Sequence, residues 1–421
     1  MEFFNEYKHM IDIHGAHERL MVKYIEKKAE EQGFTHFDEN KDYEYGDKVI
    51  FSFREKLIML VKVGREFGNG ANMIVSHLDS PRLDVITGNS LVEKEDGVFL
   101  KVVPFGGIIA QSWLDRPLAL VGKVINDENE VVDINTKWDG YTFTITSLLP
   151  HLDGRKEMKE LKFEKLLVRV GNNKKENILE FLKEKYKITE EDLRFADLSF
   201  VPADDLREIG FDKDLIAAYG HDDKCCAYAE LQAFFDAKLK DLTQVAIFAS
   251  YEETGSKQAT GCQTHVIDDF FLELIGGIKT TKRFLRNSFM LSADVCAAYE
   301  STYGGHFEDS AKAVCGQGVG IVPYLGRKSG NDSSFEFRNY IRQLAVKNEI
   351  KFSIETTKVG EGGGGTVSSF FGIKGTEVID VGVPVLAMHS PQEVISKTDL
   401  YETYKLYKAF YEDKWLTKEV D

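Results

Sequence analysis

Four short apolar runs, far apart in the chain, each end at a residue that can bind a metal or move a proton. MIVSH ends in His77, VAIFASY leads into Glu252 and Glu253, FMLSA runs into Asp294, and VLAM stops at His389. Short continuous apolar runs mark strands buried on both faces, and such strands belong to mostly parallel sheets flanked by helices. In an open sheet of that kind ligands bind beyond the carboxyl ends of the strands. Residues more than 300 positions apart can therefore meet in one crevice. Asp222 and Asp223 join the set from another direction, since they immediately precede the helical pattern CCAYAELQAFFDAKLK.

The texture between these runs is not uniform. Residues 1 to about 30 have helical periodicity, and ANMIVSHLD (71 to 79) reads as a buried strand. From about residue 85 the segments GVFLKVV, PLALVGKVI, EVVDI and YTFTIT are β-branched or aromatic and separated by Gly, Asp and Asn, which predicts an antiparallel region. It contains one helical pattern, KKENILEFLKEKYKI. After residue 218 strand and helix alternate again, through QVAIFAS, NSFMLSAD, RNYIRQLAVKNEI, EVIDVGV and a helical tail. The expected organisation is an α/β domain in two segments, 1–84 and 218–421, interrupted by a β-rich insertion over 85–217.

Charge and cysteine usage narrow the function. A net charge of -16 argues against nucleic acid or an anionic membrane as partner of the general surface. No apolar run approaches the ~18 residues of a membrane span, and the acidic amino terminus has no signal-like apolar core. Cys225, Cys226, Cys262, Cys296 and Cys315 are odd in number and lack C-x-x-C spacing, so they read as reduced thiols of a cytoplasmic protein.

Taken singly, each polar residue has a bland explanation. A histidine at a strand end is more often a hydrogen-bonded structural residue, and Asp222-Asp223 could cap a helix. The adjacent acids Glu252 and Glu253 after an apolar run are harder to dismiss, because like charges at the edge of a core repel. Jointly the residues describe a metal site, with His77 a ligand and Asp79 the carboxylate that receives its second ring N–H. Two divalent ions bring +4, while Asp222, Glu253 and Asp294 with neutral His77 and His389 bring -3. The residual positive charge suits water activation, and Asp222 is the best bridging carboxylate.

In order and context HLDSP, GHDDKCCAY, YEETGS, SADV, GEGGGG and AMHS resemble the motifs of the aspartyl aminopeptidase and vacuolar aminopeptidase I family of dinuclear zinc metallopeptidases. The resemblance implies a zinc-peptidase-type fold whose β-rich insertion serves dimerisation. It implies two Zn2+ per chain, exchangeable for Co2+ or Mn2+, with His77, Asp222 and Asp294 on one ion and Asp222, Glu253 and His389 on the other. Glu252 would be the general acid/base and Asp79 would orient His77. Substrates would be peptides with a free N-terminus, and homodimers would assemble further, to a dodecamer. His151, isolated in LLPHLDG, would by the same resemblance reach a neighbouring subunit's site.

The chain departs from the aspartyl type at Ala297, where many relatives carry histidine three positions after the metal-binding aspartate. The resemblance therefore does not fix an acidic first residue. The glycine run GEGGGG reads as a linker or as a wall of the substrate site, and it is not a phosphate loop because no lysine follows in place. Two other readings are a zinc carboxypeptidase or deacylase, with Arg82 or Lys257 receiving a substrate carboxylate, and a non-catalytic oligomeric shell protein.

Overall fold

The computed structural model describes residues 2–152, 156, 159, 161–172, 174–323, 333–358, 360 and 365–415. The chain divides into two compact units, one formed by residues 1–79, 207–388 and 393–421, the other by 80–206 and 389–392.

The first unit is built on a nine-stranded sheet. Its order is Thr35–His36, Lys48–Phe53, Leu57–Lys62, Thr243–Ala249, Ala71–His77, Phe289–Ser292, Glu377–Gly382, Val319–Val322, Phe352–Ile354. The four strands at its centre, Thr243–Ala249 through Glu377–Gly382, are mutually parallel. They are mostly apolar because both faces are covered, with buried polar residues such as Asp380 the exceptions. Ala71–His77 is buried at all seven positions. One face packs Met73, Val75, Val245, Ile247 and Met290 against Ile267, Phe270, Phe271 and Phe284 of helices His265–Ile275 and Ile278–Arg286. Helix His221–Asp236 packs on the Ala71–His77 and Thr243–Ala249 strands and against helix Lys397–Glu412.

A five-stranded sheet completes this unit, in the order Arg207–Ile209, Leu215–Ala218, Glu393–Ser396, Pro384–Leu386, Cys296–Ala297. The second unit is a seven-stranded sheet whose pairings are all antiparallel, with helix Lys175–Tyr186 beside it.

The unit boundaries differ from the expected 84/85 and 217/218. Arg82–Val85 pairs with Gly97–Phe105 and Asp197–Pro202, so it belongs to the insertion's sheet. Leu215–Ala218 pairs with Glu393–Ser396 and belongs to the first unit. Strand texture shows where a strand is, whereas its partner 175 or more residues away sets which sheet it joins. Residues 361–364 of the glycine run lie outside the described residues, so nothing structural attaches to the substrate-wall reading there.

Candidate metal centre

The register of the central strands decides which residues meet. Ala249 stands opposite His77, so the turn after Thr243–Ala249 emerges beside the end of Ala71–His77. Ser292 stands opposite Val75, which brings Asp294 level with His77 on the other side. The backbone links Leu78 N–H to Ala249 O at 2.8 Å and Ala293 N–H to Val75 O at 2.8 Å extend these pairings past the strand ends. Three parallel strands thus deliver an imidazole and three carboxylates to one edge.

Helix His221–Asp236 supplies the fourth direction. Gly220, in the left-handed region at φ 75°, turns the chain into it, and Asp222 and Asp223 have non-helical dihedrals in its first turn. His77, Asp222 and Asp294 each offer a ligand atom, all within 4.8 Å of one another, and a carboxylate oxygen of Glu253 lies as close to one of Asp222. His77 Nε2 is 3.2 Å from Asp222 Oδ1 and 3.6 Å from Asp294 Oδ1.

The orientation of His77 comes from its other nitrogen. Nδ1 lies 3.1 Å from the Asp79 carbonyl oxygen and 3.5 Å from its carboxylate. A proton on Nδ1 satisfies these oxygens and leaves the Nε2 lone pair for a metal. The Asp79 carboxylate also accepts the backbone N–H groups of Glu252 and Glu253, each at 3.2 Å. One buried aspartate therefore sets both the imidazole and the turn that carries two acids.

Electrostatics fits a cation here. Burial alone would lower the pKa of His77, yet Asp222, Asp294 and Asp79 hold it well above the ordinary imidazole range. Burial, reinforced by Asp294 and also by Asp79 and Asp222, pushes the Glu252 carboxyl up to about 8. A place that draws protons onto a buried imidazole and a buried carboxyl has a strongly negative field. Its imidazole and carboxylate donors suit zinc, which takes N and O ligands readily.

His389 and His151 belong to the second unit. His389, at φ 64°, groups with the second unit, where its Nδ1 lies 2.8 Å from the Gly107 carbonyl oxygen. Donation to that carbonyl selects the tautomer with its lone pair on Nε2. His151 is exposed on the short helical turn Pro150–Leu152 of the second unit. Arg82, the nominated receptor for a substrate carboxylate, is buried and already engaged by Asp84 at 2.8 Å, Ser199 at 3.1 Å and the Phe105 ring.

Three further carboxylates act as supports, of which the sequence singled out only Asp223, as the neighbour of Asp222. Asp223 Oδ2 accepts the backbone N–H of His77 at 3.2 Å, and Glu393 Oε2 accepts that of Asp222 at 2.9 Å. Glu230 accepts from Ser76 Oγ at 2.6 Å and from Ile247 N–H at 3.1 Å, tying the helix to two of the strands. Burial holds the Glu230 carboxyl well above the usual carboxylate range. Each acts through a backbone or hydroxyl partner elsewhere in the chain, so no spacing rule could have found the supporting role.

Comparison with known proteins agrees with this chemistry. The profile of "Aminopeptidase I zinc metalloprotease (M18)" matches residues 16–411. A probable M18 family aminopeptidase 1 of Borreliella afzelii is 37% identical over 425 residues, covering 94% of this chain and 93% of that protein. The crystal structure of an M18 family aminopeptidase from Thermotoga maritima superposes with a TM-score of 0.91 at 33% identity, covering 98% and 96% of the two chains. Aminopeptidase I from Clostridium acetobutylicum superposes with a TM-score of 0.88 at 29% identity, covering 97% and 95%. The match spans both segments of the metal-site unit and the insertion between them, and the chain belongs to the aminopeptidase I zinc metalloprotease (M18) family.

Proposed function

We propose that the aminopeptidase activity of this family runs here on two zinc ions, with His77, Asp222 and Asp294 holding one and Asp222, Glu253 and His389 the other. The observation that carries the reading is the buried His77–Asp222–Asp294 cluster at aligned strand ends, with Glu253 beside Asp222. Zinc bound there supplies a Lewis acid for the scissile carbonyl and lowers the pKa of water. Cobalt or manganese would be accepted by the same N and O donors.

The chain's own groups do the proton work. The Glu252 carboxylate removes a proton from the attacking water and returns it to the leaving amine. Asp79 fixes the Glu252 turn through its two backbone N–H bonds and keeps the His77 ring in register. The free α-amine of the peptide is held near a metal and a carboxylate such as Glu253, which restricts cleavage to the first residue. With Arg82 engaged inside the second unit, a carboxypeptidase reading is left with Lys257 alone as its nominated receptor.

The second unit is read as the dimerisation element, with dimers assembling further, to a dodecamer. In support, His151 is flanked by Leu149, 48% exposed, and Leu152, 62% exposed. Apolar side chains so placed suit an interface. His151 then acts on the partner's substrate. All five cysteines are free thiols, which fits a cytoplasmic location, and no helix among the described residues is long and apolar enough to cross a membrane.

A panel of aminoacyl-p-nitroanilides across acidic, basic and apolar residues, with and without a chelator, tests the reading and supplies the missing preference. N-acetylated substrates should be inert. Equal cleavage of blocked and free amines, or full activity after complete metal removal, would overturn it.

A further inference from the structure

The turn that carries Glu252 is held from two sides, and only one of them is Asp79. Tyr251, the residue before Glu252, is in the left-handed region at φ 61°, a conformation that costs free energy for a side chain of this size. Something must hold it there. The hairpin joining strands Lys48–Phe53 and Leu57–Lys62 turns through Arg54 at φ 53° and Glu55 at φ 55°, the left-handed pair that suits a tight two-residue connection. Lys56 follows directly. It is 5% exposed, and its ammonium lies 3.0 Å from the carboxylate of Glu18, itself 1% exposed.

The same ammonium lies 3.4 Å from the Tyr251 hydroxyl and 5.2 Å from the centre of the Tyr251 ring. The Lys56 carbonyl accepts from Ser250 Oγ at 2.5 Å, one residue earlier on the same turn. Lys56 thus grips Ser250 through its backbone and Tyr251 through its side chain, while Glu18 on helix Glu18–Glu31 grips Lys56. His17 Nδ1, 3.4 Å from the Glu18 carboxylate and bonded to the Arg19 N–H at the helix start, fixes Glu18 in turn. A buried ion pair is a weak source of stability, because desolvation cancels much of its Coulomb gain. It does specify geometry, and here the geometry is that of the turn.

We propose that Lys56 is a positioning residue for Glu252: the Glu18–Lys56–Tyr251 contacts set where the Glu252 carboxyl stands, without touching metal or substrate. The inference rests on the reading of Glu252 as the general acid/base. A displacement of ~1 Å at a proton-transfer group can cost ~10²-fold in rate. Replacing Lys56 should therefore lower kcat on the order of 10- to 100-fold and leave KM within about twofold, since substrate binding does not involve the ammonium.

The test uses Lys56→Met, Tyr251→Phe, their combination, and Glu18→Gln/Lys56→Met, each at measured metal content. The last variant removes both buried charges, so it decides the matter if Lys56→Met alone fails to fold. Expected are wild-type metal content, reduced kcat with little change in KM, and no further loss when Tyr251→Phe is added to Lys56→Met. Wild-type kcat in fully metallated Glu18→Gln/Lys56→Met, or losses from Lys56→Met and Tyr251→Phe that simply add, overturns the proposal. Glu252→Gln is measured alongside. If it keeps wild-type kcat, the acid/base reading itself falls, and Lys56 positions nothing of consequence. If it is inactive while the Lys56 variants are not, only the positioning inference fails.

Discussion

Gly382→Ala should cripple the proposed metal site without replacing a ligand. Gly382 ends strand Glu377–Gly382, where the chain leaving Phe289–Ser292 crosses it on the way to Val295 and Cys296. A Cβ built on Gly382 would lie 2.6 Å from the carbonyl carbon of Asp294, closer still to its oxygen, and 3.1 Å from Cys226 Sγ. Carbon atoms in contact sit at ~3.5 Å, so the backbone of Asp294 must retreat by at least about 0.9 Å, and its oxygen by more. The methyl also meets Cys226 Sγ, and Gly382 is held in register with Gly320 on the neighbouring strand. Overpacking of this size typically costs ~1–3 kcal/mol, and it falls on the residue that carries a metal-binding carboxylate. With Asp294 displaced by nearly 1 Å, kcat/KM should drop on the order of 10²-fold. Metal affinity, read by titration against a chelator of known affinity, should weaken as well. Gly305→Ala, where the added methyl meets nothing within 4 Å, is the matched control. A Gly382→Ala protein with wild-type metal affinity and kcat/KM would refute the claim that Asp294 is held by this close approach.

Three further outcomes are expected. Glu252→Gln should lower kcat by ~10²- to 10⁴-fold at unchanged metal content, whereas Glu253→Gln should lose metal; metal analysis of both proteins decides, and equal loss in the two would exchange or cancel their roles. His151→Ala should be slow and fully metallated, and mixing it with inactive Glu252→Gln chains should restore activity through a heterodimer; no recovery after confirmed subunit exchange rules out a role in trans. Asp399, whose carboxyl is pushed up to about 7 chiefly by burial, should make stability depend on pH. The raised value means that the folded state binds this proton more tightly than the unfolded one. The resulting stability is complete below pH ~4 and lost as pH rises towards 7, at about 1.4 kcal/mol per unit. Thermal unfolding of Asp399→Asn beside the unaltered protein at pH 5 and 8 should show the variant gaining relative stability at the higher pH, and a constant difference would refute the assignment.

The proposed metal-ligating residues could be nominated from sequence because of one physical regularity. His77 and Asp294 sit at or just past the ends of buried parallel strands, and an apolar run that stops at a polar residue announces such an end. Asp79 was also legible, though only as a partner of His77; its bonds to the Glu252 and Glu253 N–H groups depend on the register of two strands whose pairing is not written locally. Asp223, Glu230 and Glu393 were invisible as supports for the same reason. Lys56 and Glu18 look like ordinary surface charges in KLIML and HERLM, and only the fold buries them. The insertion's extent was readable to within a few residues at its start and about ten at its end, because β-texture does not say which sheet a strand joins.

The sheet order also has a consequence for how the chain is made. Strand Ala71–His77 leaves the ribosome with an entirely buried sequence, but its two neighbours are Thr243–Ala249 and Phe289–Ser292. The first of these begins 166 residues after His77. At synthesis rates of ~5–20 residues per second, the strand waits on the order of 10–30 s before either edge can be paired. During that interval the whole insertion emerges and can fold on its own antiparallel pairings, all of which lie within it. The nascent protein is thus an ordered middle carrying a sticky, unpaired apolar ribbon, which is the kind of intermediate that chaperones recognise and that crowding at high expression turns into aggregate. Slower elongation past residue 206 would lengthen that exposure, and faster elongation would shorten it.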